Sequence, residues 1–183
     1  MGNQFNHTDQ EFDEPIETVF RVAQTQDARA ILAVLNEVAQ ESPYLTLNPK
    51  GIETTVEEER ELIRNYNEST NSIMLVAESD DQIIGMATVY GIDNDRQSHV
   101  GEIGVSIIHE YWGYGIGSIL TEELIEFAKQ SDLKVLTLEV VQENKRAIQL
   151  YKKYGFNIVG NLSKRLRHNY HYFDTYIMEL MIN

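Results

Sequence analysis

The segment 105–120, VSIIHEYWGYGIGSIL, decides the fold of this chain. An apolar strand pattern ends before three alternate glycines, Gly113, Gly115 and Gly117, and a helical pattern begins directly after them. Glycines let the backbone turn tightly and approach a ligand with no Cβ in the way. The unpaired N–H groups at the helix start, together with the helix dipole, then favour a negative group. The segment therefore predicts a backbone cradle for a phosphate or pyrophosphate.

Two nucleotide-binding patterns fit this turn poorly. A dinucleotide fingerprint would have a third glycine where Ser118 stands, and although Glu139 has the right spacing for its acidic residue, only 44 residues follow it. That is too short for the rest of a doubly wound sheet. A triphosphate-binding loop would end in Gly-Lys-Ser/Thr, whereas the chain reads Gly117-Ser118-Ile119. A tight turn without a ligand is a further alternative, but it would not need three glycines.

The patterns on either side of the turn predict the order β-α-α-β-β-β-α-β-α-β-β. The predicted strands cover 18–24, 72–78, 82–90, 99–108, 134–141, 156–166 and 170–181. The first predicted helix begins after the capping residues 25–27 and ends near 42–43, and the others cover 55–66, 117–130 and 144–153. Inward-facing side chains are expected at Leu62, Ile63 and Tyr66 of the second helix and at Ile119, Leu120, Leu124 and Phe127 of the third. This order is typical of an α+β protein, with one domain over 17–183 after a loose polar tail over 1–16.

Composition narrows the classes of function. The chain of 183 residues has no cysteine, which excludes a disulfide scaffold and an acyl intermediate on a protein thiol. It shows neither a secretory signal nor an apolar run long enough to span a bilayer, so a cytoplasmic protein without membrane attachment is expected. The net charge of -14 argues against a nucleic-acid partner. From Asn144 onward, however, seven Lys and Arg stand against only Asp174 and Glu179, so this basic segment suits an anionic ligand.

A second motif follows the glycine turn: Asn144-x-x-Ala147-x-x-Leu150-Tyr151-x-x-x-Gly155-Phe156. Together with Gly115-x-Gly117 and the element order, it resembles the GNAT superfamily of acyl-CoA N-acyltransferases over 18–181. The resemblance implies a mixed, mostly antiparallel seven-stranded sheet with about four helices, in which the fourth and fifth strands splay apart. It also implies acetyl-CoA as co-substrate. One departure is Trp112, where the family usually has Gln or Arg, and we expect it to reshape the edge of the site without abolishing it.

The resemblance assigns the cofactor site to the fourth strand, the turn and the helix after the fifth strand. The pantetheine arm would pair with the backbone of Val105, Ser106 and Ile107. The pyrophosphate would lie on Trp112, Gly113, Tyr114, Gly115, Ile116, Gly117 and Ser118. Asn144 would hydrogen-bond the cofactor, Tyr151 would also line its site, and Lys145, Arg146, Lys152 and Lys153 would offset its charge.

The same resemblance assigns the chemistry. Tyr151 would be the general acid for the leaving thiolate, since a phenol with a pKa near 10 is close to an alkyl thiol. A backbone N–H near Ile107 would stabilise the oxyanion. Glu102 is the first candidate for the base, directly or through water, and His99 the second. Water alone, a Tyr151 that only packs in the core and a Glu102 that is merely exposed stay open as alternatives.

The resemblance thus predicts an N-acetyltransferase that moves acetyl from acetyl-CoA to a primary amine in a ternary complex. The acceptor could be a small molecule, a polyamine or a peptide N-terminus, and segments 44–47 and 167–171 would edge its pocket. A non-catalytic acyl-CoA-binding module or sensor is the alternative, a longer acyl group stays open, and a homodimer would be in keeping with the family. No metal site is predicted, because His168, His171 and Asp174 would not converge along a strand unless a turn intervened.

Overall fold

A computed structural model describes residues 16–48 and 50–183. The predicted tail over 1–16 lies outside the described residues, apart from Ile16. The strands are β1 (Val19–Val22), β2 (Ile73–Ser79), β3 (Gln82–Gly91), β4 (Val100–Ile107), β5 (Val135–Val141), β6 (Asn157–His168) and β7 (His171–Met181). The helices are α1 (Ala28–Glu41), α2 (Val56–Glu68), α3 (Ile116–Gln130) and α4 (Lys145–Lys153). In the part of the chain that the structure describes, no helix is both long and apolar enough to cross a membrane.

The seven strands form one sheet in the order β1-β2-β3-β4-β5-β7-β6. Neighbouring strands are antiparallel except β4 and β5, which are parallel. The element order and the mixed, mostly antiparallel sheet confirm the predicted α+β fold.

Helices cover both faces of this sheet. On one face, Leu120 and Leu124 of α3 pack with Leu136 of β5 in the largest buried cluster. On the other, Ile31 of α1 and Ile63 of α2 pack with apolar residues of β2 and β3. The sheet is therefore an internal layer, and β2 and β3 are buried over most of their length.

Two side chains that were predicted to face inward, Ile119 and Leu62, lie at the edge of the buried helix face instead. Ile119 and Leu62 are each 41% exposed, while their neighbours Leu120 and Ile63, also predicted to face inward, are buried. A side chain one residue from the centre of the buried face is rotated by about 100° and reaches the helix edge. Glu59, one turn before Ile63, is buried instead, which no hydrophobic pattern would indicate.

The feature that forms the site is the short ladder between β4 and β5. The two strands pair only from Val100–Glu102 to Val135–Thr137, as Val100↔Val135, Gly101↔Leu136 and Glu102↔Thr137. Both strands then continue, to Ile107 and Val141, without pairing to each other. The predicted splay is present, and it leaves a gap in the middle of the sheet.

Candidate active site

A groove of about 440 Å³ opens at the end of β4, where the glycine turn meets α4. We call it the cofactor groove. It is lined by eleven of the predicted cofactor residues: Val105, Ser106, Ile107, Trp112, Gly113, Gly115, Ile116, Gly117, Ser118, Asn144 and Tyr151. The twelfth, Tyr114, does not line it and packs against the main core cluster instead.

The glycines of the turn have two different tasks. Gly113 and Gly115 have φ of +100° and +83°, and a Cβ at either position would find no atom within 4 Å. They therefore allow a left-handed backbone beside open space. Gly117 allows close packing, because a Cβ there would lie 3.3 Å from Ile107 and 3.4 Å from Leu150.

The start of α3 provides donors to this space. Its first backbone bonds run from the N–H groups of Ser118 and Ile119 to the carbonyl of Gly115. The N–H groups of Ile116 and Gly117 precede any possible partner within the helix. Both residues line the cofactor groove, so the turn has the form of an anion cradle.

Trp112 braces the turn against β4. Its Nε1–H donates to the carbonyl of Ile107 at 2.8 Å, and the guanidinium of Arg146 lies 5.1 Å from the centre of its ring. The indole therefore holds the end of β4 in place and positions the guanidinium of Arg146 beside the groove. The sequence suggested an effect of Trp112 on the edge of the site but not this hydrogen bond, since nothing in the spacing indicates a contact back to β4.

Only some of the basic residues on α4 face the groove. Arg146 and Lys153 line it, whereas Lys145 and Lys152 do not. Residues seven apart share a helix face, and those one position earlier are turned away from it. The expectation that all four lysine and arginine side chains lie close to the cofactor is therefore too broad.

The free edge of β4 carries backbone groups that face the gap. Ile108 N–H donates to Ile84 O on β3 at 3.1 Å. Because hydrogen-bonded and non-hydrogen-bonded pairs alternate in an antiparallel ladder, the peptide groups of Val105 and Ile107 point away from β3. The Ile107 carbonyl is already bonded to Trp112, which leaves the Ile107 N–H and both groups of Val105 on the open edge.

A second cavity, of about 300 Å³, lies between the separated parts of β4 and β5. We call it the inner cavity. Its walls include Glu102, Glu139, Leu166 and the segment 44–47 that follows α1. It shares six lining residues with the cofactor groove, namely Leu45, Val105, Ser106, Asn144, Ala147 and Tyr151.

Tyr151 therefore stands where the two spaces meet. Its side chain is only 7% exposed and its ring packs edge-on against Phe156 at 5.6 Å. Burial raises the pKa of Tyr151 to about 12, because the phenolate loses hydration. No hydrogen bond from another described residue engages its hydroxyl. The phenol is thus protonated at neutral pH and is available as a donor.

The two carboxylates of the inner cavity differ in their surroundings. Glu139 accepts a hydrogen bond from Thr175 Oγ1 at 2.6 Å and one from Arg165 Nε at 3.3 Å. Glu102 is exposed and has no hydrogen bond or ion pair with any described residue. His99, the second candidate for the base, lines neither cavity. The geometry therefore favours Glu102 over His99 and over the ion-paired Glu139.

Asn144 begins α4 as well as lining both cavities. Its Oδ1 accepts a hydrogen bond from the Ala147 N–H at 3.2 Å and so caps the helix. This bond uses the acceptor end of the amide. The amide nitrogen, which is a donor, is the end left for a ligand.

The β6–β7 hairpin brings His168 and His171 together, because a turn lies between them, while Asp174 is engaged elsewhere. His168 and His171 are opposite each other across a two-residue turn, Asn169-Tyr170, and Asp174 accepts a hydrogen bond from Lys164 N–H. Within residues 16–48 and 50–183, no group of three or more His, Cys, Asp or Glu side chains could hold a metal ion.

A sheet that opens between two parallel strands, with a glycine cradle at the rim and a buried tyrosine at the junction, agrees with the arrangement that the resemblance to acyl-CoA N-acyltransferases implies. The family model for acetyltransferases (GNAT family) matches residues 31–156. The chain therefore belongs to the GNAT acetyltransferase family.

Known proteins of this family are similar to the chain over different lengths. The L-amino acid N-acetyltransferase AaaT of Escherichia coli (strain K12) is 36% identical over 106 residues, which cover 57% of this chain and 65% of AaaT. A GNAT acetyltransferase structure from Streptococcus pneumoniae is 33% identical with a TM-score of 0.88, covering 91% of this chain and all of that one. A phosphinothricin acetyltransferase from Sinorhizobium meliloti, solved with acetyl-CoA, shares the fold at 18% identity and a TM-score of 0.80, over 91% and 89% of the two chains.

Proposed function

We propose that the protein transfers the acetyl group of acetyl-CoA to a primary amine. The observation that carries the proposal is the junction at Tyr151, where a groove with an anion cradle meets a cavity containing an unpaired carboxylate, Glu102. The cradle suits a pyrophosphate, and Arg146 and Lys153 add positive charge beside it. The AaaT relative, named as an amino-acid N-acetyltransferase, supports the same reaction class.

Each residue then has a distinct task. When bound, acetyl-CoA supplies an acetyl thioester, whose C–S bond breaks as the C–N bond of the amide forms. Glu102 takes a proton from the ammonium form of the acceptor, directly or through water. The N–H on the free edge of β4, at Ile107, stabilises the oxyanion. Tyr151 donates its proton to the departing thiolate. Burial raises its pKa to about 12, so the phenol is protonated at neutral pH but is a weaker acid than the pKa near 10 expected from the sequence.

A non-catalytic acyl-CoA-binding module is the competing function. A binder needs the cradle but has no use for a proton donor at the junction or a free carboxylate facing it. The arrangement of Tyr151 and Glu102 therefore favours an enzyme. Cytoplasmic location, a homodimer and the lack of a metal or nucleic-acid partner stay predictions.

The test is a thiol-release assay with acetyl-CoA and a panel of amino acids, polyamines and short peptides. We expect CoA release with one amine class, and a fall in kcat of about 100- to 1000-fold for Tyr151→Phe, as for the loss of one proton donor. Acetyl-CoA affinity should stay unchanged in this variant. Because the pKa of Tyr151 is about 12, its ionisation should not lower the rate at any pH below about 11.

Phe156→Leu serves as a control for packing, since Phe156 touches the Tyr151 ring but brings no proton. Equal kcat in Tyr151→Phe and the parent protein would assign Tyr151 a structural role. Acetyl-CoA binding without CoA release from any acceptor would favour the binding module.

A further inference from the structure

A third cavity adjoins the inner cavity and has the opposite charge. It has a volume of about 320 Å³, and Leu45, Thr46, Leu47 and Leu166 form a wall common to both. We call it the outer cavity. Three basic residues line it, Arg165, Arg167 and His168, and none of its described lining residues is acidic. The inner cavity instead contains the carboxylates of Glu102 and Glu139.

An irregular segment of β6 places Arg165 in the wall of the outer cavity, in contact with Glu139 of the inner cavity. Leu162 is opposite Thr175 and Leu166 is opposite Phe173, so three residues of β6 bulge out against the single residue Asp174. Within the bulge Lys164 has a φ of +55°, and its N–H donates to Asp174 Oδ1 at 2.8 Å. Bulges next to functional sites re-aim side chains, and here the re-aimed residue is Arg165.

The guanidinium of Arg165 makes one hydrogen bond to a described residue and has further N–H donors available. Its Nε donates to Glu139, which is itself held by Thr175. Its two terminal nitrogens have no partner among the described residues. Arg165 is one of the residues that line the outer cavity. A guanidinium fixed through Nε presents these two nitrogens as a planar fork, the geometry that binds a carboxylate through two hydrogen bonds.

We propose that the acceptor amine is a zwitterion whose carboxylate is bound by Arg165. The proposal rests on the proposed function and names its substrate class. The amine is directed to Glu102 in the inner cavity, and the carboxylate lies at the boundary with the outer cavity. The leucines of the common wall and Leu35 surround the remaining space, so the class is an amino acid with an apolar side chain, or a short peptide of such residues.

The test compares each acid with its amide. Leucine, methionine and phenylalanine, their amides, and the dipeptides Leu-Gly and Leu-Gly-amide are titrated by calorimetry into protein saturated with CoA, and kcat/KM is measured alongside. We expect the acid of at least one pair to bind about 10- to 150-fold more tightly than its amide, the range for one hydrogen-bonded charge. Arg165→Gln should abolish this ratio, and Arg165→Lys should restore part of it, because lysine keeps the charge without the fork.

Arg96→Gln is the matched control. It removes the same charge from an exposed loop that contributes no residue to the three cavities, and the ratio should not change. Equal affinity for acids and amides, an equal loss for both in Arg165→Gln, or no binding of any acceptor would overturn the inference. A preference confined to Leu-Gly would place the carboxylate one residue from the amine and identify a peptide acceptor. If the acids still bind more tightly than their amides but no CoA is released, the proposed reaction is refuted, whereas the carboxylate site at Arg165 is supported.

Discussion

Individual residues in the cradle are determined by backbone conformation as much as by chemistry. Gly113 and Gly115 take positive φ values beside open space, while Gly117 avoids a clash with the end of β4. The three glycines look alike in the sequence, but the structure requires a glycine at these positions for two different reasons. A substitution at each should report a different property.

Gly115→Ala should weaken acetyl-CoA binding far more than it weakens the fold. The added Cβ meets no protein atom within 4 Å, and Gly115 lines the cofactor groove, so we expect the methyl group to take space from the ligand. The left-handed conformation costs an alanine about 1 to 2 kcal/mol. We expect a comparable loss of unfolding free energy in urea, and a loss of acetyl-CoA affinity, measured by calorimetry, of at least about 10-fold, the cost of one lost charged hydrogen bond.

Gly155→Ala is the matched control, because Gly155 also has a positive φ, of +92°, but lies outside the groove. It should lose stability in the same range and keep its affinity for acetyl-CoA. A similar loss of affinity in both variants would show that the effect comes from strain and not from the cradle.

At the scale of secondary structure, the important feature is that the β4–β5 ladder ends after three residue pairs. β4 is fully paired to β3, from Gly101↔Gly91 to Ile107↔Gly85, but pairs to β5 over only three residues. One strand therefore has a protected edge and an open edge. Successive amides along the strand must alternate between them.

Hydrogen exchange should show this alternation. We expect the amide of Ser106, directed to β3, to exchange roughly 100-fold more slowly than those of Val105 and Ile107, directed to the gap. Saturating acetyl-CoA should slow Val105 and Ile107 and leave Ser106 unchanged. Residue-resolved NMR exchange rates measure the effect, with Ser106 as the internal control, and equal rates for the three amides would contradict an open β4 edge.

On the scale of the whole molecule, a buried charge limits the stability. Glu59 of α2 is 3% exposed, and its Oε1 has no hydrogen-bond partner among the described residues. Burial raises the pKa of Glu59 above its ordinary value. The unfolded chain therefore releases this proton at a lower pH than the folded protein does, and the folded state loses stability as the pH rises above about 4.3.

Glu59→Gln should consequently stabilise the protein at pH 7.5, by about 1 to 2 kcal/mol for removal of an unpaired buried charge. The advantage should shrink as the pH approaches 4, where the carboxyl is protonated in both states. Urea unfolding of parent and variant at the two pH values measures this. Glu61→Gln, on the exposed side of the same helix, should change the stability little at either pH. A Glu59→Gln variant less stable than its parent at pH 7.5 would show that the carboxylate has a stabilising partner.

By itself, the sequence determined the element order, the glycine cradle and the position of Tyr151. These depend on local causes: hydrophobic period, turn conformation and the spacing of residues on one helix face. The resemblance to the family then assigned twelve cofactor candidates, of which eleven line one groove. The local reasoning misplaced Ile119 and Leu62 because a helical pattern defines the centre of a buried face better than its edge.

Only the tertiary structure decided which distant residues share a site. The network of Glu139, Thr175 and Arg165 joins segments far apart in the chain, and the bulge that positions Arg165 depends on strand register. Strand register and the splay of β4 from β5 are set by packing of both sheet faces, which no short stretch of sequence contains. The candidate acceptor site therefore becomes visible only when the fold brings β4, β5, β6 and the segment after α1 together.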